Sequence, residues 1–169
     1  MKQISVIGAG AWGTALANLL SYNGNKTNIW AIEEDVVESI NNSNVNKIYL
    51  SDIKLNQNLI ATNHLDDVTK SEIIFLVIPT QFTKQTISVL KDKIGKDCIF
   101  VICSKGIETN SKKLLTDIVG KIFPKNPIAA ISGPNFADEV AQLKPAITTV
   151  ASNDITIAKK VAKVLENDN

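Results

Sequence analysis

The sequence of 169 residues has few of the residues on which disulfide-rich and metal-binding proteins depend. It contains two cysteines, Cys98 and Cys103, and a single histidine, His64. The cysteines stand at the two ends of one apolar run, where alternation turns their side chains to opposite faces, so we expect reduced thiols. His64 follows the polar Asn63, which favours a surface position over a metal ligand or a catalytic base. The sequence therefore predicts neither a disulfide nor a metal site.

An excess of charge of one sign is also missing. The 18 Lys and Arg residues nearly balance the 17 Asp and Glu residues, for a formal net charge of +1, which gives no electrostatic reason for a nucleic-acid partner. No apolar run approaches the length of a membrane span, and the N-terminus enters an apolar segment without a charged leader or a cleavage site. With reduced thiols, these features lead us to expect a cytoplasmic protein with neither a nucleic-acid nor a membrane partner.

What the sequence does contain is a glycine pattern near its start. Gly8, Gly10 and Gly13 form Gly-x-Gly-x-x-Gly between an apolar, β-branched run at 4–7 and a helical pattern that reaches Gly24. In a dinucleotide fold the first glycine permits a tight turn, the second lets the backbone approach a pyrophosphate, and the third lets helix and strand pack closely. The helix N-terminus would then offer N–H groups to the anion. The alternative is a tight turn without a ligand.

An acidic pair follows the next strand pattern. The apolar run at 27–31 leads to Glu33 and Glu34, about twenty residues after the last glycine, where a dinucleotide fold places the acid that binds the adenosine ribose hydroxyls. The order of strand, helix, strand and acid therefore favours dinucleotide binding.

The rest of the chain alternates apolar runs with helical patterns, which predicts an α/β fold with a doubly wound, mostly parallel sheet, a Rossmann-type single domain over 1–169. The later strands are expected at 59–62, 73–78, 98–103, 128–131 and 146–151. Helical segments are expected at 35–42, 65–70 and 84–92, after an N-cap at Ser111, around Pro134, and after Asp154. Residues 43–58 are expected to form a loop with short elements, anchored by Ile48, Tyr49, Leu50, Ile53 and Leu55. The apolar positions of the last two long helical patterns are expected on one face of each helix: Leu114, Leu115, Ile118 and Val119 after Ser111, and Ile155, Ala158, Val161, Ala162 and Leu165 after Asp154.

Two side chains follow central strands, at the edge where ligands bind in such sheets. Phe82 comes shortly after Pro79 and could either staple the next helix or close over a flat cofactor. Lys105 follows the next strand and precedes Gly106, so its ammonium could enter the cleft beside the cofactor.

A second turn follows the strand at 128–131. Ser132 or Gly133 can cap a helix whose first turn contains Pro134, so that the N–H groups of Asn135 and Phe136 would face the cleft as a second anion or carbonyl site. The alternative is an ordinary capped helix without a ligand.

Four stretches together resemble the N-terminal domain of bacterial NAD(P)-dependent glycerol-3-phosphate dehydrogenases. They are GAGAWGTALA at 8–17, IPTQF at 78–82, SKGIE at 104–108 and SGPNFADEVA at 132–141, of which the last two are the specific ones. The resemblance covers essentially the whole chain. It implies reversible hydride transfer between nicotinamide and C2 of dihydroxyacetone phosphate, giving sn-glycerol 3-phosphate for phospholipid synthesis, in a homodimeric enzyme.

The resemblance also implies roles for individual residues. Cofactor contacts would come from Ala11, Trp12, Phe82, Lys105 and Ala137, in addition to the glycine turn and the segment at Ile32 and Glu33. Substrate contacts would come from Lys105, Gly133 and Asn135. A cation beside a carbonyl that becomes an alkoxide stabilises the developing negative charge, which suits the lysine.

The chain departs from this family pattern in two ways. Where the family often has a basic residue for the 2′-phosphate of NADP, this chain has Ile32, and Glu33 and Glu34 would repel a phosphate, so we expect NAD rather than NADP. In the family, a helical C-terminal domain supplies the general acid and base lysine and an arginine for the substrate phosphate, and neither can be placed here. We therefore expect a fragment without its own catalytic residue that binds the dinucleotide weakly and is nearly unable to turn over. The missing proton donor alone costs roughly 10²- to 10⁴-fold, and the incomplete cleft loses substrate positioning as well.

Two other functions are consistent with the dinucleotide pattern. One is another dehydrogenase with the same N-terminal unit, of the 3-hydroxyacid or ketopantoate reductase type, against which the stretches at 104–108 and 132–137 argue. The other is an NAD-sensing regulatory module of similar length, which would not explain a lysine and a glycine-proline turn that face the same cleft.

Overall fold

The computed structural model describes residues 2–167, which form nine strands and six α-helices. The strands are β1 (Gln3–Ile7), β2 (Lys26–Trp30), β3 (Ile60–Thr62), β4 (Ile73–Leu76), β5 (Ile99–Ile102), β6 (Ile107–Glu108), β7 (Lys113–Leu114), β8 (Ile128–Ser132) and β9 (Thr149–Ser152). The helices are α1 (Ala11–Tyr22), α2 (Glu34–Ser43), α3 (Thr80–Ser88), α4 (Leu115–Ile122), α5 (Ala137–Ala141) and α6 (Ile155–Leu165), and a 3-10 turn spans Leu65–Val68.

Seven of these strands form one sheet in the order β3-β2-β1-β4-β5-β8-β9. All neighbours are parallel except β8 and β9, which are antiparallel. The order reverses at β1, with β2 on one side and β4 on the other, which is the switch point of a doubly wound sheet. The predicted Rossmann-type, mostly parallel fold is confirmed.

The sheet separates two apolar layers. Val6, Phe75 and Val101 face the layer that packs under α1, α5 and α6, whereas Ile74 and Phe100 face the layer under α3 and α4. Strands buried on both faces explain why the sequence shows continuous apolar runs instead of alternation.

The two cysteines lie in opposite layers, as alternation along β5 predicts. Cys98 packs in the layer under α3 and α4, Cys103 packs in the other, and both are buried and free. His64 is exposed at the start of the 3-10 turn.

Helix α3 begins earlier than the sequence predicts. Strand β4 ends at Leu76 and not at 78, and α3 spans Thr80–Ser88 instead of 84–92. The reason is Pro79, which occupies the N-cap position with φ of −54°, a backbone conformation suited to a helix start. The Thr83 hydroxyl also donates a hydrogen bond to the carbonyl of Pro79 at 3.3 Å.

The predicted N-cap at Ser111 is wrong, because residues 107–114 form the hairpin of β6 and β7. The Ser111 N–H donates to the Glu108 carboxylate at 2.7 Å, so this residue closes the hairpin turn instead of opening a helix. Leu114 pairs with Ile107 across the hairpin and is 55% exposed, so the expected place of Leu114 on the apolar face of a helix is also wrong.

In the C-terminal third, three elements differ from the sequence predictions. Helix α5 begins at Ala137 with Phe136 as its N-cap, so the caps at Ser132 or Gly133 and the helical turn at Pro134 are wrong. Strand β9 starts at Thr149 and not at 146. Asp154 does cap α6, but the buried residues are Ile157, Ala158, Val161 and Val164, whereas Ile155 and Ala162 are exposed.

Within residues 2–167, no helix is both long enough and apolar enough to cross a membrane.

Candidate functional site

A cavity of about 830 Å³ opens at the carboxyl ends of the parallel strands. Its walls contain every predicted site residue except Phe82: Gly8, Gly10, Ala11, Trp12, Gly13, Ile32, Glu33, Lys105, Gly133, Asn135 and Ala137. The glycine turn and the lysine that follows β5 therefore border the same cavity. Among residues 2–167, no group of three His, Cys, Asp or Glu side chains could hold a metal ion.

The three glycines of the turn have different reasons to be glycine. Gly8 has φ of +115°, and a Cβ there would lie 2.8 Å from the carbonyl oxygen of Val77. A Cβ on Gly13 would lie 1.8 Å from the carbonyl oxygen of Gly8. An added Cβ on Gly10 has nothing within 4 Å and borders the cavity. The first and third glycines are thus required by the fold, while the second leaves room for a ligand.

Helix α1 begins inside the glycine turn. The Thr14 N–H donates to the carbonyl of Gly10 at 2.9 Å, which is the first turn of the helix. The N–H groups of Ala11, Trp12 and Gly13 precede this bond, and the first N–H groups of a helix have no partner within it. Because these residues line the cavity, their N–H groups can donate hydrogen bonds to a bound pyrophosphate. The absence of a side chain at Gly10 leaves space for that group.

The end of β2 forms one end of the cavity. Ile32 is 76% exposed there and carries no charge, and Glu33 is the N-cap residue of α2 without a side-chain capping bond. The Glu33 carboxylate instead accepts a hydrogen bond from the Tyr49 hydroxyl at 2.9 Å. That hydrogen bond and the charge of Glu33 raise the pKa of Tyr49 above its ordinary value.

The segment around Lys105 is held by the chain after β4. The Thr80 hydroxyl donates to the carbonyl of Lys105 at 2.8 Å, and the Ser104 hydroxyl donates to the carbonyl of Ile78. Within residues 2–167, no carboxylate lies within 4.0 Å of the Lys105 ammonium. The cation is therefore uncompensated beside the cavity and available to an anionic or carbonyl ligand.

The segment after β8 is extended where a helix start was predicted. A Cβ on Gly133 would lie 2.5 Å from the carbonyl oxygen of Ile147, so glycine is needed for close contact with the chain before β9. The Asn135 side-chain amide donates to the Thr148 hydroxyl at 2.6 Å. The segment 133–135 is therefore held at the cavity by the hydrogen bond between Asn135 and Thr148, and not by the N-terminus of a helix.

Phe82 lies within α3, is 61% exposed and does not line the cavity. Its proposed contact with the nicotinamide stays a prediction.

Several residues of the cavity wall were not singled out as site residues by the sequence analysis, among them Thr80, Gln81 and Tyr49. Thr80 and Gln81 belong to a stretch already quoted for the resemblance, so their neighbourhood was identifiable. Tyr49 lies in the loop at 43–58, where no periodic pattern signals which side chain faces a ligand.

A glycine turn beneath a helix N-terminus, an acid after the second strand and a cavity along the carboxyl edge of a parallel sheet define a Rossmann-type dinucleotide-binding domain. The sequence model of one family, described as NAD-dependent glycerol-3-phosphate dehydrogenase N-terminus, matches residues 3–158. The chain belongs to this family, as the four stretches predict, and the family is NAD(P)-dependent. Membership decides against the 3-hydroxyacid and ketopantoate reductase types.

Curated relatives agree with this assignment. The chain is 38% identical over 163 residues to a glycerol-3-phosphate dehydrogenase (NAD(P)+) of Neorickettsia sennetsu, covering 96% of the chain and 49% of the relative. It is also 38% identical over 165 residues to the enzyme of the same name from Syntrophotalea carbinolica, covering 95% and 50%. The chain thus spans about half the length of these relatives.

A solved structure supports the same fold. The crystal structure of glycerol-3-phosphate dehydrogenase from Coxiella burnetii matches with a TM-score of 0.92 and 30% identity, covering 99% of this chain and 51% of that one.

Proposed function

We propose that the chain forms the cofactor-binding half of an oxidoreductase that interconverts dihydroxyacetone phosphate and sn-glycerol 3-phosphate for glycerophospholipid synthesis. The observation that carries the proposal is one cavity bordered by the glycine turn, Lys105 and Asn135. A dinucleotide cofactor needs the glycine turn, whereas an anionic carbonyl substrate needs Lys105 and Asn135. The names of the relatives point to the same substrate.

In this proposal the residues of the glycine turn bind and orient the cofactor. Gly10, Ala11 and Trp12 would hold the pyrophosphate, Glu33 would accept hydrogen bonds from the adenosine ribose, and Ala137 would complete the wall. When bound, the dinucleotide supplies or accepts the hydride.

Lys105 and Asn135 would position the substrate. The Lys105 ammonium, which follows the end of β5, would attract the phosphate-bearing substrate and stabilise negative charge that develops on its carbonyl oxygen. The contacts at Gly133 and Thr148 fix the Asn135 segment, so its polar groups are oriented before a ligand arrives.

We further propose that NAD is preferred over NADP. Ile32 offers no positive charge to a 2′-phosphate, and Glu33 and Glu34 are negative, so a phosphate there meets repulsion and finds no ion pair. Dissociation constants of NADH and NADPH, measured side by side, test this preference, and tighter binding of NADPH would contradict it.

The 169-residue polypeptide by itself is proposed to bind the cofactor with very slow turnover, at least about 10²-fold below a full-length relative. In this proposal the general acid and base lysine that the family resemblance implies would belong to the half of the relatives that the chain does not cover. A homodimeric, cytoplasmic full-length enzyme is part of the same proposal, and two buried free thiols suit a reducing compartment. Robust reduction of dihydroxyacetone phosphate by the polypeptide alone would refute the low turnover.

The Gly10→Ala variant tests cofactor binding directly. Gly10 has φ of −66°, which alanine adopts without strain, and its added Cβ meets no protein atom within 4 Å. We expect an unchanged Tm, and an NADH dissociation constant raised about tenfold or more because the methyl group enters the space for the pyrophosphate.

Gly95→Ala is the matched control, since Gly95 also has open space around its Cβ position and is not part of the cavity wall. Calorimetric titration with NADH gives both constants. If the two variants bind NADH equally well, the glycine turn does not hold the pyrophosphate.

A further inference from the structure

We propose that Tyr49 determines cofactor specificity through Glu33, by holding the carboxylate at the adenosine end of the cavity where it accepts ribose hydroxyls and excludes a 2′-phosphate. The inference deepens the proposed function and rests on it. Tyr49 is a positioning residue in this scheme, while Glu33 contacts the cofactor.

The contact between the two side chains fixes one carboxylate oxygen and leaves the other available. The Tyr49 hydroxyl donates to Oε1 of Glu33 at 2.9 Å, and both residues line the cavity. Glu33 is an N-cap residue by its backbone, yet its side chain makes no capping bond. The carboxylate is therefore turned toward Tyr49 and not toward the N–H groups of α2.

Tyr49 is itself tied to the glycine turn by a buried amide. Asn46 is fully buried and donates from Nδ2 to the carbonyl of Ala9 at 2.9 Å and to the Thr14 hydroxyl at 2.8 Å. Its Oδ1 accepts the N–H of Tyr49 at 3.2 Å, and Leu50, buried next in sequence, donates its N–H to the carbonyl of Asn46 at 2.9 Å. The pyrophosphate turn and the specificity pair thus share one rigid support.

The charges around the pair favour a hydroxyl over a phosphate. Glu34 and Asp35 lie in the first turn of α2 beside Glu33, and within residues 2–167 no cationic side chain lies within 4.0 Å of the Glu33 carboxylate. The hydrogen bond to Glu33, together with the charges of Glu33 and Asp35, raises the pKa of Tyr49, which agrees with a hydroxyl that keeps its proton and donates it to the carboxylate. A carboxylate that is charged, uncompensated and fixed in orientation accepts a 2′-hydroxyl at little entropic cost and repels a 2′-phosphate.

The Tyr49→Phe variant removes the hydroxyl and keeps the ring. We expect the NADH dissociation constant to rise about three- to tenfold, since the carboxylate must then be ordered on binding. The NADPH constant should change less or fall, because a mobile carboxylate can turn away from the 2′-phosphate. The preference for NADH therefore decreases. Tyr22→Phe is the matched control, since Tyr22 is 49% exposed on α1 and lies outside the cavity wall, and neither constant should change.

A double-mutant cycle separates this role from a purely structural one. In the Glu33→Ala background, Tyr49→Phe should leave both constants unchanged, because Tyr49 acts through the carboxylate. Absorbance titration of tyrosinate in the Tyr22→Phe background should show the pKa of Tyr49 falling toward its ordinary value when Glu33 is alanine. The Tm of each variant verifies that the fold is retained.

The outcomes distinguish the inference from the function on which it rests. A wild-type chain that binds NADH, with Tyr49→Phe weakening both cofactors equally or neither, overturns the inference and leaves the proposed function intact. A Tyr49→Phe effect that persists in the Glu33→Ala background also overturns it. A wild-type chain that binds neither cofactor overturns the proposed function and this inference together.

Discussion

Single buried asparagines connect the loops of the molecule to helix α1. Asn18, within α1, donates from Nδ2 to the carbonyl of Ala141 at 3.0 Å and accepts the N–H of Asn56 at 2.7 Å through Oδ1. Asn46 forms comparable bonds with the start of the same helix. Both side chains are fully buried with their amide groups bonded, which removes the cost of burying them. Each of these residues therefore fixes a loop as well as its own position.

The two thiols give a prediction at the same scale. Burial raises the pKa of Cys98 to about 12, and burial also raises the pKa of Cys103. Because the thiolate is the reactive form, neither residue should react with a disulfide reagent at pH 8 while the chain is folded. Both should react once denaturant unfolds it. Rapid modification of either thiol in the native protein would contradict the burial.

The same shifts fix a direction for stability against pH. A folded-state pKa above the unfolded value means that the folded chain retains protons which the unfolded chain loses. Below pH ~8.5, the ordinary pKa of a thiol, the two cysteines should not make the free energy of unfolding depend on pH. As pH rises from there toward 12, the free energy of unfolding should decrease. Denaturant midpoints measured across this range for wild type and Cys98→Ala would show a smaller decrease in the variant.

At the level of elements, helix α6 depends on its cap. The Asp154 carboxylate accepts the N–H and the hydroxyl of Thr156, each at 2.7 Å. Asp154→Ala should lower Tm by roughly 2–4 °C, the usual effect of a lost N-cap in a chain of this size. Asp154→Asn keeps an acceptor oxygen for Thr156, so its Tm should stay close to that of the wild type. Equal Tm values for wild type and the alanine variant would show that the cap does not stabilise the helix in solution.

The hairpin of β6 and β7 depends on one glutamine from α3. Gln81 donates from Nε2 to the carbonyl of Ile107 at 3.0 Å, and its Oε1 accepts the N–H and hydroxyl of Thr109 at 3.0 and 2.9 Å. Gln81→Ala should raise amide exchange across 107–114 about tenfold, since these bonds restrain an exposed hairpin. Gln85→Ala, on the same helix, is the control. Unchanged exchange in the hairpin would mean that the β6–β7 pairing suffices.

The elements that the sequence predicts well are those whose periodicity is strong. Strand β1, helix α1 and strand β2 have continuous apolar runs or helical spacing. Between β1 and α1, Gly8 and Gly13 have a steric reason to be glycine, while Gly10 leaves space at the cavity. The segments 104–114 and 132–137 have no such signal. Their conformations depend on distant partners, such as Gln81 for the hairpin and Ile147 for the extended segment at Gly133. The residues were therefore identified as site residues, while their local structure was not.

The same reasoning explains why the sequence does not identify Tyr49 as a cavity residue. Its position depends on the buried side chain of Asn46, which bonds to Ala9 and Thr14, far away in sequence. A polar loop without periodicity does not indicate such a contact.

For the whole molecule, the two halves of the sheet contribute different chemistry to one cavity. The side of β1 and β2 brings the glycine turn and Glu33, while the side of β5 and β8 brings Lys105 and Asn135. These sets meet only because the strand order reverses at β1, which opens a crevice between the two halves. A dinucleotide bound along the carboxyl edge would therefore touch both halves and oppose their separation.

This geometry predicts how cofactor binding stabilises the molecule. NADH at 100 times its dissociation constant should add about 2.7 kcal/mol to the free energy of unfolding, which corresponds to a rise in Tm of roughly 5–10 °C for a domain of this size. Amide exchange should slow in both 8–13 and 104–108, since the ligand spans the two halves. Gly10→Ala at the same NADH concentration should show a smaller rise. Protection confined to one half of the sheet would mean that the dinucleotide does not extend across the cavity, and Lys105 would then have no part in binding it.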